Sequence, residues 1–127
     1  MQVISVLDDN ASVRSATIDL LDSAGLNCRA FASAEEYLSS GWAERTSCLV
    51  LDVSMPGLTG IELQRKLVQL GFTIPVIFIT AFPKEQLRAE AAGFEAICCL
   101  LKPYSEHELL GCIRRALAAR LENLGSG

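Results

Sequence analysis

The chain lacks the features that mark membrane, secreted and nucleic-acid-binding proteins. None of its apolar runs approaches the roughly 18 residues that a membrane span needs, and the longest, around residues 74–79, is the size of a strand. The first residues, 1–3, lack the basic region that opens a secretory signal. Eleven Lys and Arg against 15 Asp and Glu leave a net charge of −4, whereas phosphate contacts need clustered basic side chains. We therefore expect a cytoplasmic protein that binds neither nucleic acid nor a membrane directly.

Cysteine and histidine are too few and too irregularly spaced for a recognisable metal or redox motif. The five cysteines include one adjacent pair, Cys98 and Cys99, but no C-x-x-C spacing, and the single histidine is His107. We expect reduced cysteines that pack as small apolar side chains. Cys98 and Cys99 are expected to face opposite helix layers, with a redox sensor as the alternative.

Short apolar strands alternate with longer helical segments along the whole chain. The predicted strands cover residues 3–7, 28–31, 47–51, 76–79 and 97–101. Because these strands are apolar on both faces, they are typical of a parallel sheet between two layers of helices. Right-handed crossovers then favour an α/β fold with a doubly wound five-stranded sheet. We predict one domain over residues 1–124 and a flexible tail over 125–127.

Helix starts are marked by capping residues. Asn10 precedes an amphipathic helix over 11–24, and Pro83 suits the first position of a fourth helix. Three segments carry the Ser/Thr-x-x-Glu pattern of a capping box, beginning at Ser33, Thr59 and Ser105. We predict five strand–helix units in all.

Polar side chains stand at the carboxyl ends of four of the predicted strands. Asp8 and Asp9 follow the first strand, Asp52 the third, Thr80 the fourth and Lys102 the fifth. Open parallel sheets bind ligands beyond these strand ends, where the strand order reverses. We therefore expect three carboxylates, a hydroxyl and an ammonium group in one crevice.

This set of groups suits metal-assisted phosphoryl transfer. Neighbouring carboxylates repel one another unless a cation intervenes, and hard oxygen ligands suit Mg²⁺. A carboxylate can also accept a phosphoryl group to form an aspartyl phosphate. Each residue taken alone has a simpler explanation, since Asp8 and Asp9 could cap a helix and Lys102 could be a solvated charge. Their joint occurrence at four strand ends favours the functional interpretation.

The pattern resembles the response-regulator receiver domain of bacterial two-component signalling, over residues 3 to about 121. The resemblance rests on four segments in a fixed order, which are Asp8-Asp9, Asp52 with Met55-Pro56-Gly57, Thr80-Ala81, and Lys102-Pro103-Tyr104. It implies a flavodoxin-like fold with strand order 2-1-3-4-5. The segment 56–63 is similar to regulators that carry a C-terminal helix-turn-helix output domain, which implies transcription regulation by the full-length protein.

The resemblance also implies a role for each residue of the crevice. Asp52 would accept the phosphoryl group from a sensor histidine kinase. Asp9 would bind Mg²⁺ directly and Asp8 mainly through water, with the backbone carbonyl of Ser54 as a further ligand. Lys102 would pair with the acceptor carboxylate and then with the phosphoryl oxygens. The protein would assist its own phosphorylation and dephosphorylation, and would not be an enzyme with an external substrate.

A switch is expected at Thr80 and Tyr104. The Thr80 hydroxyl would move towards a phosphoryl group on Asp52, and the Tyr104 ring would rotate into the space left behind. The surface formed by the fourth helix, the fifth strand and the fifth helix would then change shape, and a homodimer could form through it. The Lys102–Pro103 bond is expected to be cis.

Two rival functions use similar residues. A phosphatase of the haloacid-dehalogenase type also forms an aspartyl phosphate, but it needs a second aspartate two residues after the nucleophile, where this chain has Ser54. A degenerate receiver domain that is never phosphorylated would act only as a binding module. The presence of every crevice residue counts against this second rival.

Overall fold

The computed structural model describes residues 2–84 and 96–126, with side chains for 2–84 and 97–120. Five strands alternate with helices along this part of the chain. The strands are β1 (Val3–Leu7), β2 (Asn27–Phe31), β3 (Cys48–Asp52), β4 (Val76–Thr80) and β5 (Ala96–Leu101). The helices are α1 (Ala11–Ser23), α2 (Ala34–Ser40), α3 (Gly60–Gln69), a 3₁₀ turn (Trp42–Glu44) and a C-terminal helix (Glu106–Ser126).

The strands form one parallel sheet in the order β2-β1-β3-β4-β5. This is the predicted doubly wound, flavodoxin-like arrangement. The direction in which successive strands are added to the sheet reverses between β1 and β3. The three central strands are buried along their whole length, as a sheet covered on both faces requires.

Two apolar layers lie on opposite faces of the sheet. One layer packs α2 and α3 on the sheet around Tyr37, Leu63 and Phe78. The other packs α1 and the C-terminal helix around Leu21, Ile77 and Ile113. Because side chains alternate along a strand, neighbouring residues of β4 such as Ile77 and Phe78 enter different layers. The strand ends are therefore held by packing from both sides.

The predicted helix starts are confirmed, with one difference in detail. The Asn10 side chain accepts from the backbone N–H of Val13 at 3.1 Å. Thr59 with Glu62, and Ser105 with Glu108, exchange hydrogen bonds in both directions. At the third site Glu36 donates to Ser33 but accepts from Ala32, so only half of the predicted box forms.

Two further features differ from the sequence prediction or lie beyond it. The C-terminal helix continues through Gly125 and Ser126, where the sequence suggests a tail. Pro83 and Lys84 are helical, and the rest of the predicted fourth helix lies outside the described residues. Within the described part of the chain, no helix combines the length and the apolar character needed to cross a membrane.

The prediction that all cysteines are reduced is wrong for one pair. Cys98 of β5 and Cys112 of the C-terminal helix form a disulfide. Their separation of 14 residues matches no short motif, so only the packing of the helix on the sheet brings them together. The expected alternation of Cys98 and Cys99 is confirmed, since these two residues pack in opposite layers.

Candidate functional site

Three carboxylates meet where β1 and β3 end. Leu7 of β1 lies opposite Leu51 of β3, so the next residues of the two strands are neighbours. Asp8, Asp9 and Asp52 each offer one carboxylate oxygen, and these oxygens all lie within 4.8 Å of one another. Asp8 and Asp52 are buried, whereas Asp9 is exposed at the rim. The sequence correctly predicted this convergence.

Two backbone contacts fix the loop that follows Asp52. The N–H of Val53 donates to the carbonyl of Ile79 at 2.9 Å, and the N–H of Gly60 donates to the carbonyl of Val53 at 3.1 Å. A Cβ atom at position 60 would lie 2.5 Å from the carbonyl oxygen of Asp52. Only glycine therefore allows the start of α3 to approach the end of β3 this closely.

The last strand brings a positive charge to the acids. The backbone N–H of Lys102 donates to the carbonyl of Thr80 at 2.7 Å, and the Lys102–Pro103 bond is cis as expected. The Lys102 Nζ lies 3.4 Å from Oδ2 of Asp52 and 3.6 Å from Oδ2 of Asp8. One ammonium group thus contacts two buried carboxylates.

The compensation of negative charge at Asp52 is incomplete. Burial raises the pKa of Asp52 from 3.8 to about 6, and the neighbouring Asp8 adds to the rise. The Ser54 N–H, which donates to Asp52 Oδ1 at 2.9 Å, and the Lys102 charge act in the opposite direction. Partial burial opposes the charge of Lys102, but the two carboxylates together raise its pKa. A further cation would therefore stabilise the ionised form of Asp52.

The donor set fits a hard divalent cation. Carboxylate oxygens in small number suit Mg²⁺, which retains several waters and coordinates at about 2.1 Å. The neighbours of Asp8 hold its backbone and side chain in place. Its Oδ1 accepts from the N–H of Asn10 at 2.9 Å, and its carbonyl accepts from Arg14 at 2.8 Å. Asp8, Asp9 and Asp52 are the residues that could hold the ion.

Thr80 is the last residue of β4 and is fully buried. Its hydroxyl oxygen accepts from the N–H of Phe82 at 3.1 Å, and the Phe82 ring is exposed. Thr80 is opposite Leu101 in the sheet register. Four of the five predicted side chains, those of Asp8, Asp9, Asp52 and Lys102, meet at the strand ends, and Thr80 ends the strand between β3 and β5.

The predicted switch residue Tyr104 follows β5 and the cis Lys102–Pro103 bond. Its half-buried ring belongs to the layer formed by α1 and the C-terminal helix, beside a cavity of about 260 Å³ that Val13, Leu20 and Leu109 also line. Burial raises the pKa of Tyr104, while a hydrogen bond with Thr17 of α1 lowers it. The proposed rotation would start from this side of the sheet.

Two residues that position the site, Gly60 and Arg14, carry no recognisable sequence pattern for this role. Gly60 was seen only as part of a capping box, although its missing side chain sets the approach of α3 to Asp52. Arg14 of α1 donates to the carbonyl of Asp8, a contact that no local sequence pattern indicates. The nearest signal available for Gly60 was a glycine at the first position of the helix that follows the acidic end of β3 after a short loop.

The family profile of the response regulator receiver domain matches residues 4–114. The chain belongs to the response regulator receiver family. The receiver domain is 39% identical over 119 residues to the transcriptional regulatory protein TdiR of Thauera aromatica, covering 94% of this chain and 52% of that protein. It is 40% identical over 111 residues to the nodulation protein W of Bradyrhizobium diazoefficiens, covering 87% and 49%.

Solved structures agree with this assignment. The response regulator StyR superposes with a TM-score of 0.88 at 39% identity, over 98% of this chain and 63% of that chain. The structure titled FixJ-N gives a TM-score of 0.83 at 30% identity, over 93% and 94%. The chain spans about half the length of the curated relatives it matches. The comparisons show that this receiver domain is similar to part of a transcriptional regulatory protein and to part of a response regulator.

Proposed function

We propose that this receiver domain accepts a phosphoryl group on Asp52 from a sensor histidine kinase, with Mg²⁺, and passes the signal on through its surface. The observation that carries the proposal is the pocket of three carboxylates with Lys102 within 3.4 Å of the Asp52 oxygen. Family membership supports it, since the family profile spans residues 4–114, which include Asp8, Asp52 and Lys102.

In the proposed step, a carboxylate oxygen of Asp52 forms a bond to phosphorus while the bond from phosphorus to the histidine nitrogen of the kinase breaks. Asp52 must be ionised to attack, and with a pKa of about 6 it is mostly ionised at neutral pH. The Lys102 ammonium stays close enough to neutralise charge on the incoming group. A bound Mg²⁺ would neutralise further charge on the carboxylates and phosphoryl oxygens.

Asp9 and Asp8, with Asp52, would hold the ion, and the carbonyl of Ser54 remains a proposed fourth ligand. The protein acts as a substrate of the kinase and assists its own phosphorylation and dephosphorylation. In a full-length regulator of the kind that TdiR represents, we propose that the phosphorylated domain controls transcription in the cytoplasm through an output domain.

The proposed switch begins at Thr80. Its hydroxyl now accepts from the Phe82 N–H, and we propose that it turns to donate to a phosphoryl oxygen on Asp52. This exchange would pull on the loop after β4. It would thereby shift the equilibrium between two existing conformations of the domain. The movement of Tyr104 and a homodimer through the fourth helix, β5 and the C-terminal helix stay predictions.

The decisive experiment compares intact masses after incubation with Mg²⁺ and acetyl phosphate. Wild type should gain the mass of one phosphoryl group, and Asp52→Asn should gain none. Asp19→Asn is the matched control, because it makes the same change at an exposed position on α1. Phosphorylation of Asp52→Asn at the wild-type level would overturn the proposal. If acetyl phosphate modifies none of the proteins, a phosphorylated histidine kinase serves as the donor.

The switch needs its own test. Thr80→Ala should still be phosphorylated, but the chemical-shift changes that phosphorylation causes in β5 and the C-terminal helix should be lost. Thr80→Ser keeps the hydroxyl and should retain them. Equal changes in wild type and Thr80→Ala would contradict a role for the hydroxyl.

A further inference from the structure

Cys98 and Cys112 meet where β5 packs against the C-terminal helix. Their Cα atoms are 6.0 Å apart, within the range of about 4.4–6.8 Å that a disulfide spans. The two elements are separated by the turn through Pro103, and the crosslink joins them covalently. The bond uses none of the residues of the acidic pocket, although Cys98 precedes Lys102 on the same strand end.

An irregularity in β5 directs Cys98 towards the helix. Val76 pairs with Ala96, but the next residue, Ile77, pairs with Cys98, so Ile97 is an extra residue in the strand. As a result Ile97 and Cys98 both pack in the layer of the C-terminal helix. Bulges of this kind redirect side chains at particular points of a strand. Cys112 lies on the face of the helix that covers this layer.

The two sulfur atoms have different surroundings. Both cysteines border a surface groove of about 480 Å³ that His107, Glu108 and Arg115 also line, and Cys98 is half-buried there. Nη1 of Arg115 donates to Sγ of Cys98 at 3.4 Å. Cys112 is 7% exposed. A guanidinium beside an accessible sulfur stabilises a thiolate, which is the reactive form of cysteine.

Other cysteines of the chain provide a contrast. Burial and the neighbouring Asp22 raise the pKa of Cys28 to about 11, and burial raises that of Cys48 to about 12. These thiols remain protonated at neutral pH and react slowly.

We propose that Cys98 and Cys112 form a reversible redox site, in which a hydroperoxide oxidises Cys98, Cys112 closes the disulfide, and the C-terminal helix is thereby tied to β5. The proposal is independent of phosphorylation at Asp52. It adds a second input to the same surface that the receiver domain is proposed to use for output.

The chemistry takes place in two balanced steps. The Cys98 thiolate attacks the terminal oxygen of the hydroperoxide, so an S–O bond forms while the O–O bond breaks. The other oxygen takes up a proton and leaves in an alcohol, or in water when the oxidant is hydrogen peroxide. Cys98 becomes a sulfenic acid. The Cys112 sulfur then attacks the Cys98 sulfur, its thiol proton is lost, and the hydroxyl group leaves as water. Two thiols lose two electrons to the hydroperoxide, and a dithiol reductant reverses the bond by exchange.

The test is a count of thiols on the intact 127-residue chain. Fully reduced protein is treated with hydrogen peroxide, quenched, unfolded and alkylated with a maleimide. Reduced protein should take up five maleimides, and oxidised protein three, which is five minus the two sulfurs of the bond. Peptide mapping should find Cys98 joined to Cys112 within one chain. Retention of all five thiols, a bond to Cys99 or a bond between chains would overturn the proposal.

Variants distinguish the sulfur that the hydroperoxide oxidises, proposed to be that of Cys98, from the sulfur that closes the disulfide, proposed to be that of Cys112. Cys112→Ala should leave a sulfenic acid on Cys98 that a dimedone probe traps, whereas Cys98→Ala should trap none. Arg115→Ala should slow the oxidation by about tenfold, because the Cys98 thiolate loses the neighbouring positive charge, and Arg115→Lys should restore most of the rate. Equal rates in wild type and Arg115→Ala, or trapping on Cys112 in place of Cys98, would contradict the assignment of roles.

A structural readout completes the test. Hydrogen exchange of the amides around Cys112 should be about tenfold slower in the oxidised than in the reduced protein, because the crosslink suppresses local opening of the helix. Amides of α2, on the other face of the sheet, provide the control and should not change. An unchanged exchange rate around Cys112 would show that the bond does not tie the helix down.

Discussion

The polar groups at the two ends of the sheet differ in charge and in how their interactions are satisfied. At the carboxyl end, Asp8, Asp52 and Lys102 are charged, and the two ion pairs are 3.4 and 3.6 Å long. Near the amino end, the hydroxyls of Ser5 and Tyr37 both lie within 2.8 Å of the Thr46 hydroxyl, which itself donates to the carbonyl of Trp42. These groups are neutral and satisfied by one another.

Because of this difference, we expect the neutral network to contribute to stability and the charged cluster to contribute to function. A satisfied network of neutral groups in a low-dielectric interior stabilises the fold. A cluster of partly compensated carboxylates destabilises it, but keeps a site that can bind a cation and accept a phosphoryl group. The same kind of substitution, which replaces a polar group by a less polar one of equal size, should therefore have opposite signs at the two ends.

The largest effect is expected at Thr46. Thr46→Val removes the hydroxyl that Ser5 and Tyr37 share, leaving buried polar groups without their partner, and should lower the free energy of unfolding by about 2–3 kcal/mol. Urea denaturation measures this change. Thr73→Val, at an exposed site, should change the free energy of unfolding by less than about 0.5 kcal/mol. A Thr46→Val protein as stable as wild type would contradict the stabilising role of the hydroxyl network at the amino end of the sheet.

Gly60→Ala tests the packing that positions the acidic end. The added Cβ would lie 2.5 Å from the Asp52 carbonyl oxygen, so the backbone must shift, at a cost of about 1–3 kcal/mol. Phosphorylation by acetyl phosphate should also become slower. Gly111→Ala is the control, because nothing lies within 4 Å of its Cβ position in the C-terminal helix. It should stabilise the protein by about 0.5–1 kcal/mol.

Asp52→Asn should make the protein more stable at pH 7 by about 1–2 kcal/mol without divalent ions. The folded state raises the pKa of Asp52 from 3.8 to about 6, so ionisation of this group costs stability as the pH rises through that interval. The difference between variant and wild type should be full above pH 6 and vanish below about 3.8. Unfolding curves at several pH values measure it, and a constant difference would argue against an Asp52 origin.

The smallest expected effect is that of Mg²⁺. At a concentration ten times the dissociation constant, binding should stabilise wild type by about 1.4 kcal/mol, and Asp9→Asn should lose most of this gain. The shift in midpoint temperature with and without Mg²⁺ provides the measurement. Thr46→Val should keep the response, because its substitution lies at the other end of the sheet. An equal response in wild type and Asp9→Asn would place the ion elsewhere.

The site was predictable because it lies on regular elements. Asp8, Asp52, Thr80 and Lys102 all stand at strand ends, and parallel strands bring their carboxyl ends to one edge. Tyr104 follows a turn after β5, where alternation no longer fixes direction, and the structure places it against α1. The roles of Gly60 and Arg14 depend on close contacts that no sequence period reveals.

Local patterns by themselves determined the strands, the helix starts and the acidic edge of the sheet, because hydrophobic periodicity and capping act over a few residues. Only the tertiary structure decided that Cys98 meets Cys112 and that Asp52 has a raised pKa. The first depends on a bulge and on the seating of a helix, and the second on how much water the packing excludes. Both the cysteine contact and the pKa depend on distances between elements, and the order of residues along the chain does not specify these distances.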